Sequence, residues 1–266
     1  GFELMGVLNV TPDSFSDGGE WFSRDDAVRH GLEMAGAGAS IIDVGGESTR
    51  PGAAPVPEQE ELDRVVPVVA ALSRAAGGAT ISVDTTKLVV AEQAVAAGAR
   101  YVNDVSAFRG APELADLVAG SGARCCLMHM RGEPRTMQDD PVYDDVVDDV
   151  KAFLTERAEY AVSRGIAAEM IDVDPGIGFG KTTAHNAELL HRLDEIVALG
   201  FRVLVGVSRK SFIGSLGGGA GPLDRLPGTI AANVLAYANG ARVFRVHDLA
   251  EHAQALRMAA AVTAAR

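Results

Sequence analysis

Residues 80–105 read TISVDTTKLVVAEQAVAAGARYVNDV, and this stretch contains the unit from which the fold is predicted. A short apolar run ends at Asp84, a segment with helical spacing follows at 88–97, and Gly98 leads to a second apolar run that ends at Asn103. Glycine commonly follows a helix because it adopts the left-handed conformation there without strain. The order strand, helix, glycine, strand predicts two parallel strands joined by a right-handed crossover.

The same unit recurs along the chain, and each predicted strand leads into polar residues. We predict strands at 4–9, 40–44, 80–84, 101–105, 126–129, 170–174, 202–207 and 242–246, and helices that include 25–37, 58–75, 88–97 and 144–163. Parallel strands that all end in polar residues predict a (β/α)8 TIM barrel, whose active site lies at those ends. The loops after the first two strands, 11–22 and 45–57, are long, and we expect them to be mobile lids on the catalytic face.

Composition supports one barrel and disfavours two classes of partner. The chain has 266 residues, which suits a single domain over 1–266, and 47% of them are hydrophobic while only 5% are aromatic. The core is therefore expected to consist mostly of Ala, Val, Leu and Ile. A net charge of -12 without a basic stretch argues against nucleic-acid binding. No apolar run approaches the roughly 20 residues that cross a bilayer, so we expect no membrane partner.

The two cysteines indicate the cellular compartment in which the protein is expected. Cys125 and Cys126 are adjacent, and neighbouring side chains on a strand point to opposite faces, so a disulfide between them is not expected. A chain without a framework of disulfides fits a reducing compartment. The expected location is the cytoplasm.

Seven motifs at or near the predicted strand ends identify a family. They are NVTPDSFSD at 9–17, DVGGESTRPG at 43–52, SVDT at 82–85, VNDV at 102–105, DPGIGF at 174–179, SRKSF at 208–212 and RVHD at 245–248. One such motif alone is weak evidence, but seven in order across nearly the whole chain are specific. The chain resembles the dihydropteroate synthases.

The resemblance implies a reaction and its partners. The family condenses 6-hydroxymethyl-7,8-dihydropterin diphosphate with p-aminobenzoate, and the products are 7,8-dihydropteroate and diphosphate. It implies an SN1-like path, Mg²⁺ as the cofactor, a homodimer and inhibition by sulfonamides, which imitate p-aminobenzoate.

The resemblance also implies a pterin pocket. Its residues are Asp84, Asn103, Val105, Met128, Asp174, Phe179, Gly206 and Lys210. Chemistry supports the polar members. A carboxylate such as Asp174 accepts two parallel N–H bonds from the donor edge of the pterin ring, and an amide such as Asn103 suits a mixed edge of donors and acceptors.

Two further groups of residues are implied around this pocket. The residues implied to bind diphosphate are Asn9, Arg50, Arg245 and His247, and Asn9 is also the implied Mg²⁺ ligand. The residues implied to bind p-aminobenzoate are Thr49, Arg50, Pro51, Phe179 and Ser211. An arginine fork suits phosphate oxygens, and Mg²⁺ commonly uses few protein ligands together with phosphate and water. The implied catalytic residues are Asp84, Lys210, Arg245, His247 and Asp17.

Structural interpretations remain open for several polar residues. Asp104 is expected to be structural, because its side chain alternates away from that of Asn103. The remaining histidines, at 30, 129, 185, 191 and 252, are expected to be structural or exposed. Two other functions also remain open. One is a pterin-binding methyltransferase that acts with a corrinoid protein, and the other is a degenerate homologue that binds pterin without turnover.

Overall fold

The computed structural model describes residues 1–11, 24–48, 53–132 and 136–265, and its centre is a closed barrel of eight strands. All neighbouring strands pair in parallel, in the order of the chain. The strands are β1 (Glu3–Asn9), β2 (Ile41–Gly45), β3 (Thr80–Asp84), β4 (Tyr101–Asp104), β5 (Arg124–Met128), β6 (Ile171–Asp174), β7 (Arg202–Val205) and β8 (Val243–Val246). The predicted (β/α)8 barrel is confirmed.

Helices surround this barrel and connect its strands. They are α1 (Arg24–Gly36), α2 (Glu58–Ala75), α3 (Leu88–Ala96), α4 (Leu114–Ser121), α5 (Val146–Ser163), α6 (Thr183–His191), α7 (Leu193–Val197), α8 (Ser211–Leu216), α9 (Leu226–Ala238) and α10 (Leu249–Ala264). The predicted boundaries agree within a few residues. The largest strand differences are at β5, which begins at Arg124, and at β7, which ends at Val205. Most of the loop at 11–22 lies outside the described residues, as does part of the loop at 45–57.

Side chains alternate between the outer and inner faces of the strands, and they form two separate apolar cores. Strand residues that face outward, such as Cys125, pack with the helices in one large apolar cluster. The inward-facing residues near the N-terminal end of the barrel form a second, smaller layer, which consists of Met5, Ile41, Tyr101, Cys126, Leu204 and Val243. Cys125 and Cys126 are both free and buried, on opposite faces of β5 as predicted. The period of two also places every second strand residue inside the barrel.

A buried ionic cluster closes the N-terminal end of the barrel. Asp172 is fully buried, and it accepts hydrogen bonds from the Tyr101 hydroxyl at 2.6 Å, from Arg124 at 3.2 Å and from Arg202 at 2.8 Å. Several donors to one carboxylate offset the cost of removing it from water. These contacts therefore fill the N-terminal end of the barrel interior.

Within the described residues, no helix is both long and apolar enough to span a membrane. The single domain over 1–266 stays a prediction.

Candidate active site

The polar residues at the C-terminal strand ends share the inner face of the barrel. Strand register pairs Asn9 with Gly45, Gly45 with Asp84, and Asp84 with Asn103. On the opposite wall, Met128 pairs with Asp174. The side chains of β1 to β6 that were predicted from separate motifs therefore project into one region.

Asp43 lies at the centre of this region and is fully buried. One of its carboxylate oxygens accepts the Ser82 hydroxyl at 2.6 Å. The other accepts the Asn103 amide at 2.9 Å and Nε of Arg245 at 2.7 Å. Asp43 thus holds residues of three other strands in place. The sequence prediction quoted Asp43 in a motif but assigned it no role, although its position two residues before Gly45 puts it on the inner face.

Arg245 bridges two carboxylates. Its Nη2 donates to Asp84 at 2.8 Å, while its Nε donates to Asp43. Burial, and next the negative charge of Asp43, raise the pKa of Asp84 to about 7, although Arg245 acts in the opposite direction. The guanidinium is therefore fixed in orientation by groups inside the barrel.

His247 comes directly after β8 and contacts Ser208. The Ser208 hydroxyl lies 2.9 Å from Nδ1 of His247, and the backbone N–H of His247 donates to the same oxygen at 3.3 Å. Ser208 is buried in the loop that follows β7. These two contacts hold His247 against Ser208, two residues after Arg245.

Asp174 and Lys210 lie near enough for each to affect the ionisation of the other. Asp174 accepts the backbone N–H of Gly176 at 2.7 Å, and its pKa is raised by burial although Lys210 lowers it. Lys210 donates to the Ile177 carbonyl, and its ammonium lies 4.6 Å from the centre of the Phe179 ring. Burial lowers the pKa of Lys210 to about 8. Both groups thus titrate closer to neutrality than they do in water.

The β6–α6 loop is wound around a buried lysine. The ammonium of Lys181 donates to the carbonyls of Gly176 at 2.9 Å and Phe179 at 3.0 Å, and it lies 2.9 Å from Nδ1 of His129. Burial lowers the pKa of Lys181 to about 7. The turn also needs glycine, because a Cβ on Gly176 would lie 1.9 Å from the His129 carbonyl oxygen at a φ of +67°.

Lys181 was missed by the sequence prediction, although it directly follows the DPGIGFG segment. His129 has the structural role that was expected, as the partner of this lysine. Asp104 is structural too, since its carboxylate accepts the backbone N–H groups of Ser106 and Phe108, each at 2.7 Å.

Apolar residues form one wall of the site. Val105, Met128, Met130 and Met137 make a buried cluster, against which Phe179 packs. Three members of the predicted pterin pocket are therefore in contact. Gly206 lies nearby, and a Cβ there would come within 3.9 Å of the Lys210 ammonium, so the glycine leaves space in front of this lysine.

The remaining predicted residues divide into two sets. Asn9 ends β1 and is partly buried, and Ser211 is exposed at the first position of α8. Asp17, Thr49, Arg50 and Pro51 lie outside the described residues. The structure therefore brings Asp84, Asn103, Asp174, Lys210 and Arg245 to one end of the barrel, and His247 directly follows the strand that carries Arg245.

Sequence and structure comparisons agree with this geometry. The sequence model of the pterin binding enzyme family matches residues 5–247. Dihydropteroate synthase of Escherichia coli (strain K12) is 48% identical over 263 residues, which cover 99% of this chain and 92% of the relative. The enzyme of Mycobacterium leprae is 46% identical over 265 residues, with 97% and 93% covered.

Solved structures give the same result. Yersinia pestis dihydropteroate synthase in a sulfonamide drug complex superposes with a TM-score of 0.93 at 46% identity, covering 99% of this chain and 94% of that one. The Xanthomonas albilineans enzyme with 4-aminobenzoic acid gives 0.92 at 48% identity, with the same coverage. The family match and these full-length similarities show that the chain belongs to the pterin-binding enzymes, and among them to the dihydropteroate synthases.

Proposed function

We propose that this chain condenses 6-hydroxymethyl-7,8-dihydropterin diphosphate with p-aminobenzoate to give 7,8-dihydropteroate and diphosphate. The observation that carries the proposal is the convergence of Asp84, Asn103, Asp174 and Lys210 with the Arg245–His247 pair at one end of the barrel. The first four suit a pterin ring, and the last two suit an anionic leaving group. Both halves of the substrate thus have a matching set of side chains.

Recognition of the pterin follows from hydrogen-bond chemistry. Asp174 accepts from N3–H and the 2-amino group, and a charged acceptor makes these bonds strong. Asn103 faces a mixed edge of the ring, and its own amide is oriented by Asp43. Lys210 donates to the carbonyl and ring nitrogen on the other side. Val105, Met128 and Phe179 supply apolar contact with the ring faces.

The leaving diphosphate lies beside Arg245 and His247. Two carboxylates already fix the guanidinium of Arg245, so it needs little reorganisation when negative charge develops. The C–O bond breaks with its electron pair on diphosphate, and the cation that remains is delocalised through the dihydropterin ring. Asp84 and Asp174 place negative charge next to that cation. The p-aminobenzoate nitrogen then forms the new C–N bond and loses one proton.

Mg²⁺ fits the oxygen chemistry near Asn9. The described residues contain no group of three or more His, Cys, Asp or Glu side chains that could hold a metal. A single amide oxygen at the end of β1, together with substrate oxygens and water, agrees with how Mg²⁺ commonly binds. Asn9 would hold the ion, which would neutralise charge on the diphosphate when bound.

The amine substrate is assigned to the rim of the barrel. Phe179 and Ser211 are its described contacts in this proposal, with Thr49, Arg50 and Pro51 from the β2–α2 loop and Asp17 from the β1–α1 loop. The ring of Phe179 is held by packing against the buried cluster of Val105, Met128, Met130 and Met137 and by the ammonium of Lys210. Sulfonamides, as imitators of p-aminobenzoate, are proposed to compete at this position.

We also propose a homodimer, supported by an apolar surface on α9 and α10. Leu235, Met258 and Val262 are each more than 60% exposed on these neighbouring helices. A contiguous exposed apolar patch commonly marks a protein interface. A cytoplasmic location is proposed as well, supported by the two free cysteines.

Turnover separates this proposal from the methyltransferase alternative. The purified protein is incubated with the pterin diphosphate, p-aminobenzoate and Mg²⁺, and separately with a methylated tetrahydropterin and a corrinoid methyl acceptor. We expect dihydropteroate in the first mixture and no methyl transfer in the second. Methyl transfer, or pterin binding without diphosphate release, would overturn the proposal.

A further inference from the structure

Lys87 connects three segments beside the site. It lies three residues after Asp84, between β3 and α3, and its ammonium donates to the carboxylates of Glu47 and Glu61. It also donates to the backbone carbonyl of Val56 at 2.9 Å. Glu47 and Val56 belong to the first and last parts of the β2–α2 loop, and Glu61 belongs to α2. One ammonium thus holds both ends of this loop.

The first part of the loop also docks on α2. Arg64 donates to the Gly46 carbonyl at 2.9 Å. A Cβ on Gly46 would lie 2.7 Å from a Val65 methyl and 2.9 Å from Cγ of Glu61, so the backbone passes directly over the helix. The position of Glu47 is therefore determined by packing as well as by its ion pair with Lys87.

The charge balance makes Lys87 the main partner of a buried carboxylate. Glu61 is 1% exposed, and its Oε1 has no hydrogen-bond partner among the described residues. Burial lowers the pKa of Lys87, but the hydrogen bonds that it donates to Glu47 and Glu61 raise it more, so the net shift is upward. The ammonium accordingly stays charged at neutral pH, as a clamp between the two carboxylates requires.

We propose that Lys87 is a positioning residue for the amine substrate: it fixes both ends of the β2–α2 loop relative to β3, the strand that ends at Asp84. The inference rests on the proposed function, since it takes the loop between Glu47 and Val56 as part of the p-aminobenzoate site. Lys87 touches neither substrate. It sets the distance between the two described ends of the loop, at Glu47 and Val56, and the strand that ends at Asp84.

The test compares Lys87→Met, which keeps the side-chain stem but removes the charge, with Lys87→Arg, which retains it. We expect Lys87→Met to raise KM for p-aminobenzoate by about tenfold, while the Kd of the pterin diphosphate changes by less than about twofold. Lys87→Arg should recover most of the loss. Lys151→Met is the matched control, because Lys151 also pairs with two carboxylates, Asp148 and Glu195, but on the outer helices.

A second variant keeps the test decisive if Lys87→Met folds poorly. Lys87→Met/Glu61→Gln removes the buried unpaired charge, and we expect it to regain thermal stability while KM for p-aminobenzoate stays high. Unchanged KM in both variants, or equal losses for both substrates, would overturn the proposal.

Hydrogen exchange gives a readout that does not depend on turnover. In Lys87→Met, amides of the segment 45–57 should exchange faster than in the wild type, whereas those of β3 should not change. Equal exchange in the segment would refute the clamp. If the wild type fails to release diphosphate although this exchange difference is present, the proposed function fails and the clamp stands.

Discussion

Asp43→Asn is the substitution that examines the centre of the site. An amide has the same shape as a carboxylate and can retain all three hydrogen bonds. Its oxygen can accept from Asn103 and Arg245, and its NH₂ can donate to Ser82, whose hydroxyl also accepts. The substitution therefore removes one negative charge and little else.

The expected loss of folding stability depends on which hydrogen bonds each variant retains. A hydrogen bond to a charged group contributes about 1.5–3 kcal/mol, against about 1 kcal/mol for a neutral one, so Asp43→Asn should lower the free energy of unfolding by about 1–2 kcal/mol. Arg245 retains Asp84 as its partner. Asp43→Ala removes all three bonds and leaves the guanidinium half paired, and breaking a buried pair in this way costs about 3–5 kcal/mol.

The same substitution should change the ionisation of Asp84. Burial and then the charge of Asp43 raise the pKa of Asp84 from 3.8 to about 7, so the variant should lower that pKa. A raised carboxyl pKa means that the folded protein binds more protons than the unfolded chain between those values. Stability from this group therefore falls as the pH rises from 3.8 to about 7, and the slope should be shallower in Asp43→Asn.

Activity gives the second readout. Ionised Asp84 is needed beside the developing cation, so kcat/KM for the pterin substrate should rise with pH through about 7 in the wild type. It should fall above about 8 as Lys210 loses its proton. In Asp43→Asn the acidic limb should move to lower pH, and in Asp84→Asn it should disappear. The ionisation of the substrate diphosphate is followed separately by phosphorus NMR.

Urea unfolding followed by far-UV circular dichroism measures the change in stability, and the pH profile of kcat/KM measures the change in the ionisation of Asp84. If Asp43→Asn is as unstable as Asp43→Ala, the asparagine does not retain the three hydrogen bonds. If the acidic limb stays in place or moves upward, Asp43 does not act on Asp84.

Three further predictions concern ligands and the β6–α6 loop. Asp174→Asn should leave the fold intact and weaken pterin binding by about tenfold to a hundredfold, because a charge-assisted pair of bonds is lost; near-normal affinity by calorimetry would contradict this. Lys181→Met should lower the free energy of unfolding by about 1–3 kcal/mol, since the carbonyls of Gly176 and Phe179 lose their donor; an unchanged urea midpoint would argue against it. Sulfonamides should compete with p-aminobenzoate, whose affinity should rise when diphosphate and Mg²⁺ are present and fall again with a chelator; equal affinity for the empty and the diphosphate-loaded protein would oppose that order.

The barrel was predictable because its signals are local. Each strand carries an apolar run with a polar end, and several helices end near a glycine, as at Gly98, where φ is +117°. The strand-end side chains could be grouped from the same pattern, since a period of two assigns them to one face. Asp84 and Asn103 are neighbours in register for this reason.

The cross-links between strands were not predictable in the same way. Asp43 binds partners that lie 39, 60 and 202 residues away in the sequence, and the pattern of one strand cannot identify them. The Lys181–His129 contact spans 52 residues and depends on the turn at Gly176. Such contacts arise only when the barrel closes. The roles of Asp17, Thr49, Arg50 and Pro51 stay predictions, because these residues lie outside the described parts of the chain.

The most direct test of the central claim is a simultaneous measurement of diphosphate and 7,8-dihydropteroate in one reaction. The purified wild type and Asp174→Asn are each given the pterin diphosphate, p-aminobenzoate and Mg²⁺. The wild type should form the two products in equal amounts. The variant at the same substrate concentration should form both much more slowly while it keeps its folded circular dichroism spectrum. Diphosphate release without dihydropteroate in the wild type, or equal rates in the two proteins, would contradict the central claim.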